Sequence, residues 1–134
     1  MINVELNFPL LGLKNNDPNI YVFKDHIGIV SKGGAAFYKD LWIVDINGDS
    51  FQLEQAKLKG KAGIKYTIRY FQQMYEVELN FKFLENIALD ELKSRLSLHI
   101  YKYKNHWLAL GPIDLINEKM RQYTQYTELI LMFR

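Results

Sequence analysis

A chain of 134 residues and 15.8 kDa supplies one hydrophobic core and not two, because a domain of this size already uses its apolar residues to bury roughly two-thirds of its unfolded surface. Its 49% apolar and 24% charged content, with three prolines, is globular and excludes a disordered chain, while the lack of cysteine excludes disulfides, cysteine zinc sites, iron–sulfur clusters and thiol nucleophiles. The 17 basic and 15 acidic side chains divide 8 to 7 up to residue 67 and 9 to 8 after it, so no long-range field gathers a polyanion.

Residues 2–8 alternate Ile2, Val4, Leu6 and Phe8 with Asn3, Glu5 and Asn7, the pattern of a half-buried strand that Pro9 ends. Residues 14–19 form a turn cluster. Residues 20–24 and 27–31 are two β-rich runs separated by Asp25 and His26, which predicts a hairpin. The strongest local signal lies at residues 41–55, where two β-prone runs flank Asn47-Gly48, the pair that most readily takes the positive φ angles of a type I′ turn. Trp42, Val44 and Ile46 alternate with Leu41, Ile43 and Asp45, so this strand is apolar on both faces and belongs inside the sheet. Beyond the glycine-spaced residues 58–63, further strands are predicted at 64–71 and 75–84, the latter alternating Val77, Leu79, Phe81 and Phe83 with polar residues.

The period then changes from two to 3.6. Leu89, Leu92, Leu96, Ile100 and Tyr103 form a helical stripe, with Asn86 as the expected N-cap, Asp90 and Glu91 in the first turn and Lys102 and Lys104 near the last. Gly111-Pro112 separates this helix from a second over residues 113–123. Residues 127–133 are too apolar for a free tail and read as a closing strand. The order predicts a single α+β domain over residues 1–134, an antiparallel sheet of about six to eight strands packed against two helices near the C-terminus. No fingerprint of a doubly wound nucleotide fold occurs.

Catalytic motifs fail in turn. Asp45, Asn47 and Asp49 imitate the start of a calcium loop, but Ser50 and Ala56 stand where such a loop needs glycine and glutamate. His26, His99 and His106 lack metal-ligand spacing; His99 reads as a partly buried spacer beside the helix stripe, His26 as a turn residue and His106 as a helix-end residue. The serines have neither G-x-S-x-G nor S-x-x-K context, and Glu76 and Glu78 read as solvent-facing residues of one strand face. No metal, cofactor or catalytic residue is expected. The one local charge anomaly is Lys57, Lys59, Lys61, Lys65 and Arg69, five cations with no acid among them, around a Gly60–Gly63 G-x-x-G spacing. They read as a lysine-protected edge or as a docking patch for an acidic partner. The 14% aromatic content, nine tyrosines included, packs the core and leaves tyrosine for an interface.

From Asp45-Ile46-Asn47-Gly48 through Phe51-Gln52-Leu53, the lysine segment, the long alternating strand, the helix opening Leu89-Asp90-Glu91-Leu92-Lys93 and Trp107, the chain resembles small, cysteine-free bacterial immunity proteins of polymorphic or contact-dependent toxin systems. The resemblance implies a cytoplasmic, non-enzymatic protein that neutralises a cognate toxin domain by direct binding; members that block nucleases are often acidic, and this chain is not. The amino terminus has no signal-peptide pattern and no window is apolar enough to span a membrane, so a cytoplasmic address is expected. Two other readings follow from the residues. One is a small-ligand-binding or hydrolytic α+β domain whose site is assembled from distant residues, which a cleft with convergent polar groups distinguishes. The other is a weak nucleic-acid binder through residues 57–69, which a steep salt dependence distinguishes.

Overall fold

A computed structural model describes residues 2–30, 35–61 and 75–134. Within them, one antiparallel sheet of five strands has the order β2-β1-β3-β4-β5. The strands are β1 (Leu10–Leu13), β2 (Tyr21–Phe23), β3 (Trp42–Val44), β4 (Asp49–Lys61) and β5 (Tyr75–Asn86). The helices are α1 (His26–Val30), α2 (Leu89–Lys102), α3 (Lys104–Leu108), α4 (Ile113–Gln122) and α5 (Tyr126–Leu131), with a 3-10 turn at Ala35–Tyr38. The class is the α+β arrangement expected, with fewer strands among the described residues than the six to eight predicted. The strand expected at residues 64–71 lies outside the described residues.

Neighbouring residues of a central strand feed opposite faces, as the two-residue period requires. Leu10 and Ile43 enter one core cluster with Ile29, Val30, Tyr38, Leu79 and Phe81. Leu11 and Val44 enter another with Ile87, Leu92, Leu96, Ile100, Met120, Leu129 and Ile130. Helices therefore cover both faces: α2, α4 and α5 one, α1 and the 3-10 turn the other. The prediction of two covering helices near the C-terminus identified α2 and α4 and omitted the rest.

Three expected strands differ. Residues 27–31 were expected to close a hairpin, yet 26–30 are helical, because the Asp25 carboxylate accepts the Gly28 N–H at 2.7 Å and acts as an N-cap. Residues 127–133 were expected to be a strand; instead Tyr126, Leu129, Ile130 and Phe133 recur at helical spacing in and beside α5, and Leu129 and Ile130 are buried against the sheet. Residues 2–8 keep their alternation, with Ile2, Val4, Leu6 and Phe8 packed on the core. Among the described residues, their one ladder contact is a parallel bridge between Ile2 and Leu79. Where a strand would continue the pairing, Asn3 uses its side chain: its amide donates to Phe81 O at 3.0 Å and its carbonyl accepts Phe81 N–H at 2.7 Å.

The β3–β4 hairpin forms, through a longer loop than a type I′ turn. Of Asn47 and Gly48, only Gly48 has positive φ, at 83°. Buried Asp45 organises the loop by accepting the Asn47 and Asp49 N–H groups at 2.9 and 3.1 Å, an Asx arrangement in place of a cation loop. β4 runs through Gly60 and Lys61, so residues 58–61 are strand paired with β5 and the G-x-x-G segment begins inside the ladder. Three register shifts interrupt that ladder, and such bulges bend and twist a ribbon. Asn86, expected to cap α2, instead donates to Asn47 O at 2.8 Å and Asp49 Oδ1 at 3.0 Å. The N-cap position is Ala88, which makes no side-chain bond.

Candidate functional site

Helix α2 has one face for the core and two for other tasks. Leu92, Leu96 and Ile100 bury into the sheet. Arg95, His99 and Lys102 recur at i, i+4 and i+7, which stacks them in a row about a quarter turn away from the buried stripe. That row borders a cleft of about 270 Å³ whose other walls are Leu13, Lys14 and Asn15 at the end of β1, Asp40 and Trp42 at the start of β3, and Gln52 of β4. Tyr103 closes its end. Two neighbouring depressions share lining residues with it, one Lys102 and Tyr103 and reaching His106, the other Lys14, Asn15 and Asp40 and reaching Lys39.

The lining cations are positioned to different degrees. Lys14 donates to Phe37 O at 2.7 Å, lies 3.5 Å from the Asp17 carboxylate and sits over the Phe37 ring at 4.1 Å. Arg95 places its guanidinium over the Trp42 ring at 5.4 Å. Its Nη2 meets Glu85 at 2.9 Å and Glu91 at 3.3 Å. Lys102 lies over the Tyr103 ring at 5.3 Å and has no carboxylate within ion-pair distance among the described residues. The Trp42 indole N–H is buried without a hydrogen-bond partner among the described residues.

His99 Nε2 lies 3.2 Å from the Pro18 carbonyl. A carbonyl only accepts, so Nε2 carries the proton and Nδ1 keeps its lone pair in the neutral ring. Burial pushes the imidazole below its ordinary value, and the hydrogen bonds at Pro18 and Asn19 oppose that shift without cancelling it. Burial also raises the Asp17 carboxyl, but hydrogen bonds from Tyr21 and the Asn19 N–H, with Lys14 nearby, outweigh it and hold the group below its ordinary value.

The third face of α2 points outward. Leu98 is 70% exposed and Tyr101 66%, and Leu108, Leu110 and Leu115 follow at 54%, 69% and 60%. Lys93 Nζ reaches Tyr123 O at 2.5 Å and Ser97 Oγ reaches Asn117 at 3.1 Å, so α2 and α4 run antiparallel. The same antiparallel spacing puts Tyr101 near the start of α4. Lys104 lies 5.3 Å over the Tyr101 ring. Apart from Phe83 and Leu84, every strongly exposed large apolar residue described falls within these 18 positions, 98–115.

The lysine segment is elsewhere. Lys57 is exposed on β4 opposite Glu78, and Lys59 and Lys61 follow on the same strand. Lys65 and Arg69 lie outside the described residues. Lys57 is not among the residues that line the cleft or form the apolar face. The Arg95–His99–Lys102 spacing was the available sequence signal for the cleft, and the reading of His99 as a spacer missed it. His26 opens α1 and His106 lies within α3. Among the described residues, no group of three or more histidine, aspartate or glutamate side chains is placed to hold a metal ion, and no helix is long and apolar enough to cross a membrane. Compared with protein-family models, curated proteins and solved structures, the chain matches none.

Proposed function

We propose that the protein is a non-enzymatic binding module for a partner protein, and that neutralisation of a cognate bacterial toxin domain is the specific form of this activity. The carrying observation is the concentration of exposed Leu98, Tyr101, Leu108, Leu110 and Leu115 around the α2–α4 pair. Exposed apolar side chains concentrated in this way, with a tyrosine among them and charged groups beside them, are what a protein interface buries. Lys104 at its edge favours an acidic rim on the partner. Lys57, Lys59 and Lys61 on β4, with Lys65 and Arg69, supply a second positive region that steers an acidic partner during approach.

Co-expression with the product of the neighbouring gene, followed by size exclusion and a growth assay, tests the reading. A stable complex that restores growth is the expected result; separate elution or continued toxicity overturns the toxin form. Within such a complex, Leu98→Ser with Leu115→Ser raises the dissociation rate, whereas charge reversal at Lys59, Lys61 and Lys65 slows association and flattens its salt dependence. Unchanged dissociation in the first variant removes the α2–α4 face from the interface.

A further inference from the structure

We propose that the cleft between the end of β1, the start of β3 and the Arg95–His99–Lys102 row of α2 binds a small phosphate- or carboxylate-bearing molecule. Binding there needs no partner protein: Arg95, His99 and Lys102 line the cleft and the exposed Leu98 and Tyr101 do not.

Arg95 and Lys102 put two positive charges on one row of α2, with the neutral His99 ring between them. Glu85 and Glu91 lie against the charge at the Arg95 end. Lys102, at the other end, has an aromatic ring and no carboxylate among the described residues. An anion in the cleft supplies the missing counter-charge. Both carboxylates on Arg95 engage Nη2, which leaves Nη1 and Nε as further donors on a side chain that lines the cleft beside Trp42. Lys14 lines the same cleft, its ammonium held by Phe37 O and Asp17.

Size and the remaining lining restrict the ligand. A volume of about 270 Å³ lies at the small end of ligand sites. Asp40, on the sheet side, is the one carboxylate of the lining and meets a hydroxyl or amine donor of the ligand; it disfavours an anion with charge at both ends. The class is therefore a small anion with one phosphate or carboxylate end and hydrogen-bond donors at the other. His99 adds a proton linkage. Lys102 on its own helix and Asp17 from the β1–β2 connection act on its charge, Tyr103 lies 5.0 Å from its ring, and Arg95, Lys14 and Asp40 line the same cleft. A bound anion among these groups favours the imidazolium and draws a proton onto Nδ1.

The full chain, followed by amide and histidine-ring NMR at constant ionic strength, tests this with glycerol phosphate and lactate as probes. Saturable shifts centred on the Trp42 indole, His99 and Lys102, with a rise in the His99 pKa, are expected. Saturation by the phosphate probe assigns a phosphate ligand and saturation by lactate a carboxylate; either supports the site. Lys102→Gln and Arg95→Gln each weaken binding by about tenfold or more, while Lys119→Gln on α4 leaves it unchanged. Linear shifts with neither probe saturating, equal shifts at Lys57 or Lys119, or undiminished binding by Lys102→Gln overturn it. No partner protein enters the experiment, so its failure leaves the interface reading standing, and loss of that reading leaves this one.

Discussion

The Trp107 indole and the His99 imidazole converge on one carbonyl oxygen. Trp107 Nε1 donates to Pro18 O at 3.0 Å and His99 Nε2 lies 3.2 Å from the same atom. The two rings thus fasten the β1–β2 connection to α2 and α3, and fix the wall on which Lys14 stands. A carbonyl with two lone pairs accommodates both donors.

Sharing an acceptor makes the two side chains interdependent. Trp107→Phe or His99→Phe alone leaves the carbonyl one partner, at a cost of about 1 kcal/mol for the bond. The double variant leaves Pro18 O with neither and is expected to lose more than the sum, a coupling that urea denaturation of the four proteins measures.

The depressed His99 value sets a pH dependence. The unfolded chain takes up a proton at this residue near pH 6.5, whereas the folded chain resists until a lower pH. Stability is therefore greatest above that region and falls as pH drops from about 6.5 toward the folded value. His99→Gln flattens this segment of the profile. Asp17 acts in a separate window: its lowered folded value means its contribution is present above about pH 4 and is lost below it. Denaturation midpoints at pH 7.5, 5.5 and 3.5 separate the two.

Gly48 is held where no larger residue fits. Its φ is 83°, and a Cβ there would lie 2.6 Å from Ile87 O and 2.7 Å from the Tyr126 hydroxyl. That hydroxyl donates to Ile87 O, while Ile87 N–H donates to Gly48 O at 2.8 Å. Gly48→Ala is expected to destabilise by about 2 kcal/mol or more from combined strain and crowding, and Tyr126→Phe by about 1 kcal/mol. Thermal melts of both check the values, and the pair couples because the groups touch.

The outward face of α2 should be nearly silent in folding. Leu98→Ser is expected to change stability by no more than about 0.5 kcal/mol, while Leu96→Ala, two residues earlier and fully buried, costs about 2–5 kcal/mol. Denaturation of the two variants under one condition distinguishes a recognition surface from a packing surface.

Where a segment's own periodicity agreed with its packing, the sequence was readable. The leucine stripe marked α2, Gly48 marked the β3–β4 loop, and alternation up to Phe81 marked β5, although Phe83 turns out half exposed against Phe51. Local hydrogen bonding defeated the β-propensity of Ile27, Ile29 and Val30, because Asp25 caps them into a helix. In α5 the helical spacing of Tyr126, Leu129, Ile130 and Phe133 was present, but a run of seven apolar-rich residues satisfies either period. The basic row was likewise legible on α2. Its function was not, because Lys14, Asp40 and Trp42 reach it only when β1 and β3 pair.

Asn3 bonds to Phe81 through both ends of its carboxamide, as the backbone of a neighbouring strand would. A long ribbon such as β4–β5 invites identical ribbons to add alongside it, the first step toward fibres. At Phe81 the place is already taken by a group that offers no onward row of donors and acceptors. One exposed side chain thus serves as a chain terminator for the sheet, checking self-assembly without the length of a sixth strand.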